Sequence, residues 1–303
     1  GERAADRRSR SDKLAAPSRD RMSSMPLDLH FPRAAVAATA VACLGIAPLA
    51  VGAESSGEDP TGLAPDGRPG LDRPAESREW SAALGIGAAY GPEFEGARTR
   101  ETSAFPVVNA RWRRFGLDSA TLRYYFIEGS RATLTAGIGY DGGRADDADD
   151  DRLRGLGEIE GGGTAVVTGS YALGAVTLSA NFTRLLAGSD GTRAEVGLSM
   201  PVLRSTRMGL TAYVGARWAN ADYMQAYYGV TRQQSLASRL PTYDAGSGLV
   251  AWGGMLHGHY ELNARWSAFA RVGVGQLAGD AKDSPVTGRT SQVSALFGAA
   301  YAF

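Results

Sequence analysis

The sequence predicts an all-β fold, a transmembrane antiparallel β-barrel of about 12 strands that follows an N-terminal signal peptide. Three observations carry this. The final run alternates strictly, with Val293, Ala295, Phe297, Ala299, Tyr301 and Phe303 on one face and Gln292, Ser294, Leu296, Gly298, Ala300 and Ala302 on the other. Side chains of a strand alternate faces, so this is one long strand with a continuous apolar side. The composition combines 40 glycines with 44% apolar residues, as expected of many tight turns and small inward-facing side chains. Beyond the N-terminal region no 18-residue run is apolar, although a barrel needs only every second residue to be so.

Residues 1–21 are basic and polar, and read as sequence upstream of a start at Met22 or Met25. From Met25 a short segment with His30 and Arg33 leads into an apolar stretch from Ala34 to Val51, followed by Val51-Gly52-Ala53. This is the three-part layout of a secretory signal, with cleavage expected after Ala53. Cys43, the single cysteine, lies inside the apolar stretch. It lacks the flanking residues of a lipidation site, and the mature chain is expected to be free of disulfides and thiol chemistry. Residues 1–53 hold 8 of the 32 basic and 5 of the 32 acidic residues, leaving 24 and 27 and a net charge of about −3. That balance offers no basic excess for nucleic acid.

Residues 54–79, rich in Gly, Pro, Asp and Glu without periodicity, read as a flexible periplasmic lead-in. The barrel is expected over 80–303. Its strands follow in turn. Trp80, Leu84, Ile86, Ala88 and Tyr90 oppose Ser81, Gly85, Gly87 and Ala89. Leu134, Ala136, Ile138 and Tyr140 oppose Thr133, Thr135, Gly137 and Gly139. Leu178, Ala180 and Phe182 oppose Thr177, Ser179 and Asn181, and Ala194, Val196, Leu198 and Met200 oppose Arg193, Glu195, Gly197 and Ser199. Met208 to Trp218 and Trp266 to Val274 repeat the pattern.

Connections alternate in length. Short ones are expected at Leu173-Gly174, Leu203-Arg204-Ser205 and Asn263-Ala264, and long polar ones at Gly142–Gly163, Ala219–Ser247 and Gly279–Arg289. Short turns belong to the periplasmic side of such barrels and long loops to the outside. Eleven strands are plain, and an even number puts both ends in the periplasm. The stretch Arg111–Ile127 has room for a further short strand, which gives 12; ten is the alternative. The inward list holds Arg123, Arg193, Arg217 and Arg271 against Glu195, and about 12 strands imply a narrow lumen.

Several dispersed motifs resemble one family. Tyr90-Gly-Pro92-Glu-Phe94-Glu-Gly96, Asp141-Gly-Gly-Arg144, Leu153-Arg-Gly-Leu-Gly157, Tyr223-Met-Gln-Ala-Tyr-Tyr-Gly-Val230, Leu240-Pro-Thr-Tyr243, Gly279-Asp280-Ala-Lys-Asp283-Ser-Pro-Val286 and the terminal Tyr301-Ala-Phe303 occur in order. Together they are similar to the MipA/OmpV family of outer-membrane proteins over roughly residues 80–303. Phe94 departs from the family's usual Tyr. The resemblance implies an outer-membrane location and a scaffold that links a murein hydrolase (a lytic transglycosylase) to a murein synthase. It assigns no contact residues. Tyr301 and Phe303 resemble the C-terminal signal read by the barrel-assembly machinery, and outer-membrane lipid is the expected surrounding.

Catalytic or metal chemistry has weak support. His257 and His259 share a strand face with Glu261, so a metal is conceivable, but a polar lumen position is the simpler reading since no fourth ligand is evident. Asp283 and Ser284 lie in a loop with no general base placed beside them, which speaks against a hydrolase. The run Asp146-Asp147-Ala148-Asp149-Asp150-Asp151 lacks the ligand spacing of a calcium loop and reads as solvated. Tyr223, Tyr227, Tyr228 and Tyr243 either serve protein or glycan contact or pack on the barrel rim. No cofactor and no enzymatic activity are expected; a narrow pore or a surface adhesin is the alternative to the scaffold.

Overall fold

Period-2 alternation produces strands that must close on one another, because in lipid an open sheet edge leaves backbone polar groups without partners. The computed structural model describes residues 80–118, 120–144 and 151–303. The expected cleavage after Ala53, the lead-in 54–79 and most of the acidic run 146–151 lie outside the described residues.

Twelve antiparallel strands form a closed barrel in sequence order, with the last pairing the first. They are β1 Trp80–Pro92, β2 Arg100–Trp112, β3 Phe115–Asp118, β4 Thr121–Glu128, β5 Ala132–Asp141 and β6 Gly162–Leu173. There follow β7 Val176–Leu185, β8 Thr192–Arg204, β9 Met208–Ala219, β10 Gly248–Glu261, β11 Trp266–Leu277 and β12 Ser291–Ala302. The extra short strand anticipated within Arg111–Ile127 is β3, only 4 residues long.

Closure rests on β12. Tyr301 lies opposite Leu84 in β1 and Trp266 in β11, and the Phe303 amide donates to the Ala82 carbonyl at 3.0 Å. Phe303 itself is 56% exposed, as a side chain facing lipid must be. Aromatic rings gather at the end with short turns: Trp112 stacks on Phe115 at 5.8 Å, Phe115 meets Tyr124 edge-on at 5.2 Å, and Tyr301 meets Trp266 and Phe303 at 5.3 and 5.0 Å. Exposed Tyr90, Tyr140, Trp218 and Trp252 lie toward the opposite end. Two aromatic girdles around an apolar band are the outer signature of a membrane barrel. No described helix is long and apolar enough to cross a membrane.

Inward positions agree with the alternation. Thr133, Thr135, Thr177, Ser179, Glu195, Ser199, Arg123 and Arg217 are buried. Aromatic rings fill the space that inward glycines leave: a Cβ at Gly197 or Gly215 would strike the Tyr213 ring, and Phe105 and Phe269 lie over Gly87 and Gly298. With Ala83, Val107 and Ala300, these two phenylalanines narrow the lumen by an apolar cluster.

The long connections carry structure that alternation does not reveal. Helices α1 (Ala221–Tyr228), α2 (Arg232–Ser238) and α3 (Gly279–Asp283) lie within them. The Asn220 side chain caps α1 by accepting from the Tyr223 amide, and Thr231 with Gln234 forms a complete capping box on α2.

Candidate functional site

Loops that leave a barrel mouth must either stay solvated or bury apolar residues against each other. Here they bury. Met224, Tyr228, Val250, Leu277 and Ala281 form one core with Tyr223 and Leu185, and Phe94, Leu153, Leu156, Val230 and Val286 form a second. Segments from four connections (93–99, 151–161, 220–247 and 278–290) therefore make a cap with its own interior.

Polar groups stitch that cap together. Asp141 accepts from the Gly143 amide at 3.0 Å and from Arg193 at 3.3 Å, while Arg144 donates to the Tyr227 carbonyl at 2.9 Å. Gly143 takes φ 70°, and a Cβ there would strike the Ile159 carbonyl, so a side chain at this site opposes the fold. Gly96, at φ 98°, presents its carbonyl to the amides of Gly288 and Arg289 at 2.8 and 2.9 Å. Arg152 donates to the Pro285 carbonyl at 2.8 Å, and Gln234 donates to that of Leu156 at 2.6 Å.

Beneath the cap lies a buried charged cluster. Glu95, from the first outer loop, reaches into the barrel and pairs with Arg217 of β9. Arg217 stands opposite Glu195 in register, and Glu195 accepts from the Tyr213 hydroxyl at 2.8 Å. Arg193 is paired with Asp141, and Arg123 approaches Asp118 at 3.8 Å. The sequence count of four inward arginines against one glutamate thus omitted Glu95, Asp141 and Asp118, because two of them sit in or beside loops whose path into the lumen has no local signature. A cavity of about 20 Å³ lies beside Glu95, Glu195, Arg217 and Gln292, room for about one water molecule.

The four tyrosines divide unequally. Tyr228 is 1% and Tyr223 3% exposed, with Tyr227 stacked on Tyr223 at 4.4 Å. Burial, and secondly the Glu95 carboxylate, hold the Tyr228 phenol well above its usual pKa. Burial likewise raises Tyr223, opposed by Arg193. Tyr243 donates to the Asp280 carbonyl at 3.1 Å. These rings pack the rim, and Tyr223 and Tyr228 offer no surface to a partner.

The other candidates fall into structural roles. His257 Nδ1 accepts from Arg271 Nε at 2.9 Å, and the His257 and His259 rings stand 6.4 Å apart. A guanidinium on one ring opposes a cation there, and among the described residues no group of three His, Cys, Asp or Glu could hold a metal. Ser284 is buried and donates to the Tyr228 carbonyl at 2.6 Å while accepting from the Val286 amide. Asp283 is exposed beside Lys282 at 3.5 Å. Ser284 is therefore a loop lock, and neither residue faces a histidine of the lumen. At the barrel's other end, Arg265 donates to the Tyr301 hydroxyl at 2.8 Å, fixing the ring beside Phe303.

A 12-stranded barrel with two aromatic girdles, paired charges on its inner face and an interlocked outer cap defines a capped outer-membrane β-barrel. The sequence pattern described as MltA-interacting protein MipA matches residues 84–303, and the chain belongs to that family. It is 23% identical over 225 residues to YiaT of Escherichia coli O157:H7, which is named as an outer-membrane protein, covering 73% of this chain and 90% of YiaT. Among solved structures, an outer-membrane channel of Pseudomonas putida F1 is similar at 12% identity and a TM-score of 0.37, over 76% of this chain and 97% of the channel. An anion-selective porin of Comamonas acidovorans is similar at 9% identity and a TM-score of 0.30, over 74% and 98%. The protein resides in the outer membrane.

Proposed function

We propose that this barrel is a non-enzymatic scaffold that holds peptidoglycan-remodelling proteins, a lytic transglycosylase first and a murein synthase with it, at the inner face of the outer membrane. The observation that carries the reading is the difference between the two ends. The outer mouth is closed by loops that spend their apolar and aromatic residues on one another. The short-turn end, periplasmic by the rule for such barrels, exposes Arg113, Arg114, Arg131, Arg204, Arg207 and Arg265, with Glu128 and Glu261 as the acidic residues among the described ones there. A basic rim of this kind favours a partner with an acidic face and speeds its encounter. The family description points to the same class of partner.

The chemistry argues against a catalyst in the cap or lumen, since Ser284 and His257 are engaged in structural hydrogen bonds. Tyr301 and Phe303 serve as the signal for the barrel-assembly machinery in this reading, and the processed chain begins after Ala53.

The test is binding of the purified barrel to a lytic transglycosylase, with and without residues 54–79 and with Arg131→Glu, Arg207→Glu and Arg265→Glu combined. Binding that weakens about tenfold or more on charge reversal and weakens with salt supports the scaffold. Absence of binding by every form, with a surface-attachment phenotype lost on disrupting the outer loops, would replace it with an adhesin.

A further inference from the structure

Among the described residues, the wall of the barrel is incomplete in its outer half. Pairing of β2 with β3 runs only from Asn109 to Trp112, and β3 turns back into β4 at Asp118 and Thr121. Residues 100–108 of β2 continue upward paired to β1 alone among the described strands. On the other side, β5 continues past Gly139 to Tyr140 and Asp141 with only β6 as neighbour. Two strands are missing between β2 and β5 at this height, so three spacings of ~4.8 Å leave the edges about 14 Å apart.

Such an edge at membrane depth is tolerated only where water or a ligand satisfies its backbone. Pro106, which has no N–H, sits within the stretch that has β1 as its one described neighbour, as proline does on edge strands. Its inner surface is apolar around Phe105 and Val107, which pack with Ala83, Ala300 and Phe269. Polar atoms of two inward side chains are buried without hydrogen-bond partners: the Ser103 hydroxyl, and Nε and Nη1 of Arg123, whose Nη2 lies 3.8 Å from Asp118. Arg123 is 7% exposed and projects from β4 two residues below the hairpin tip, with Gly116 and Gly137 opposite it.

We propose that the gap between β2 and β5 is a lateral binding site for a single-chain amphiphile with an anionic head. Its chain lies along Phe105 and Val107, and its head meets Arg123. A buried guanidinium with two idle nitrogens selects an anion over a neutral head. The gap is only two strands wide, which favours one chain over a bulky multi-chain lipid. This site is independent of the periplasmic rim and stands whether or not the scaffold reading holds.

The test has two arms. A benzoylphenylalanine photo-crosslinker replaces Phe105 in intact outer membranes, with Thr168, inward and buried on β6, as the control position. A lipid or fatty-acid adduct at 105 and none at 168 is expected, and the adduct mass tells a membrane lipid from a free acid. A protein adduct at 105, no adduct, or equal labelling at both positions overturns the proposal. In the second arm the purified barrel is titrated with dodecanoate and with dodecanol. Arg123→Gln should weaken dodecanoate about tenfold while leaving dodecanol unchanged, and Arg123→Lys should retain most of the affinity. Equal dodecanoate binding by wild type and Arg123→Gln, with folding verified by heat-modifiability, overturns the role of the cation.

Discussion

Removing the Glu95 carboxylate should open the cap without unfolding the barrel. Glu95 and Arg217 have side chains 13% and 5% exposed, so Glu95→Ala leaves a guanidinium buried without its main countercharge. Breaking one partner of a buried pair costs about 3–5 kcal/mol. Glu195 stands opposite Arg217 and offsets part of this, which places the expected loss near the lower bound, about 3 kcal/mol. That loss falls on the first outer loop and on what it holds, namely the Gly288 and Arg289 amides on the Gly96 carbonyl. Their native-state hydrogen exchange should accelerate about 150-fold, since each 1.36 kcal/mol is tenfold. Strand amides of β6 and β7, which the loop does not touch, should exchange at the wild-type rate. The double variant Glu95→Ala/Arg217→Met removes both charges and should recover most of the protection. If the single and double variants exchange alike, or if neither differs from wild type, the pair is not what latches the cap.

Four further outcomes follow from the same structure. Deleting Phe303 removes one exposed ring and its edge contact with Tyr301, a stability loss of about 1 kcal/mol; folded yield on a heat-modifiability gel should nevertheless fall several-fold, and normal yield would show the terminal motif to be incidental. In planar bilayers the intact barrel should show no steady conductance, whereas Glu95→Ala should flicker; large steps from the wild type would contradict the occluded lumen. The phenols of Tyr223 and Tyr228 are raised by burial, so the folded cap keeps its protons where the unfolded chain loses them. Their stabilising effect is present in full below about pH 10 and declines above it, and protease nicking of the 220–247 loop, followed against pH, checks the sign. Intact-mass measurement of the exported protein should place its first residue at Glu54.

The barrel was legible because lipid imposes period 2 on every strand, and the burial of Thr135, Ser179, Glu195 and Arg217 follows that rule. Even β3 left a trace, in a stretch too long for one turn. The cap was not legible as a folded unit. Its cores join Phe94 to Val286 and Leu153 to Val230, contacts between loops far apart in sequence, and helices of 5 to 8 residues are too short for a helical period to emerge. One local signal was available: Thr231 followed by Gln234 at the capping-box spacing. Glu95 could not be found this way, since its partner lies 122 residues on. The gap beside β2 likewise depends on how far β3 runs, which only register reveals.

The central claim is that the periplasmic rim, and not the outer cap, receives a murein enzyme. It is tested most directly by photo-crosslinking in living cells from two positions, one at Ser205 in a periplasmic turn and one at Leu236, 81% exposed on the cap, with captured proteins identified by mass spectrometry. The account predicts a lytic transglycosylase captured from Ser205 and none from Leu236. Capture of the transglycosylase from neither position, or from Leu236 alone, would contradict it.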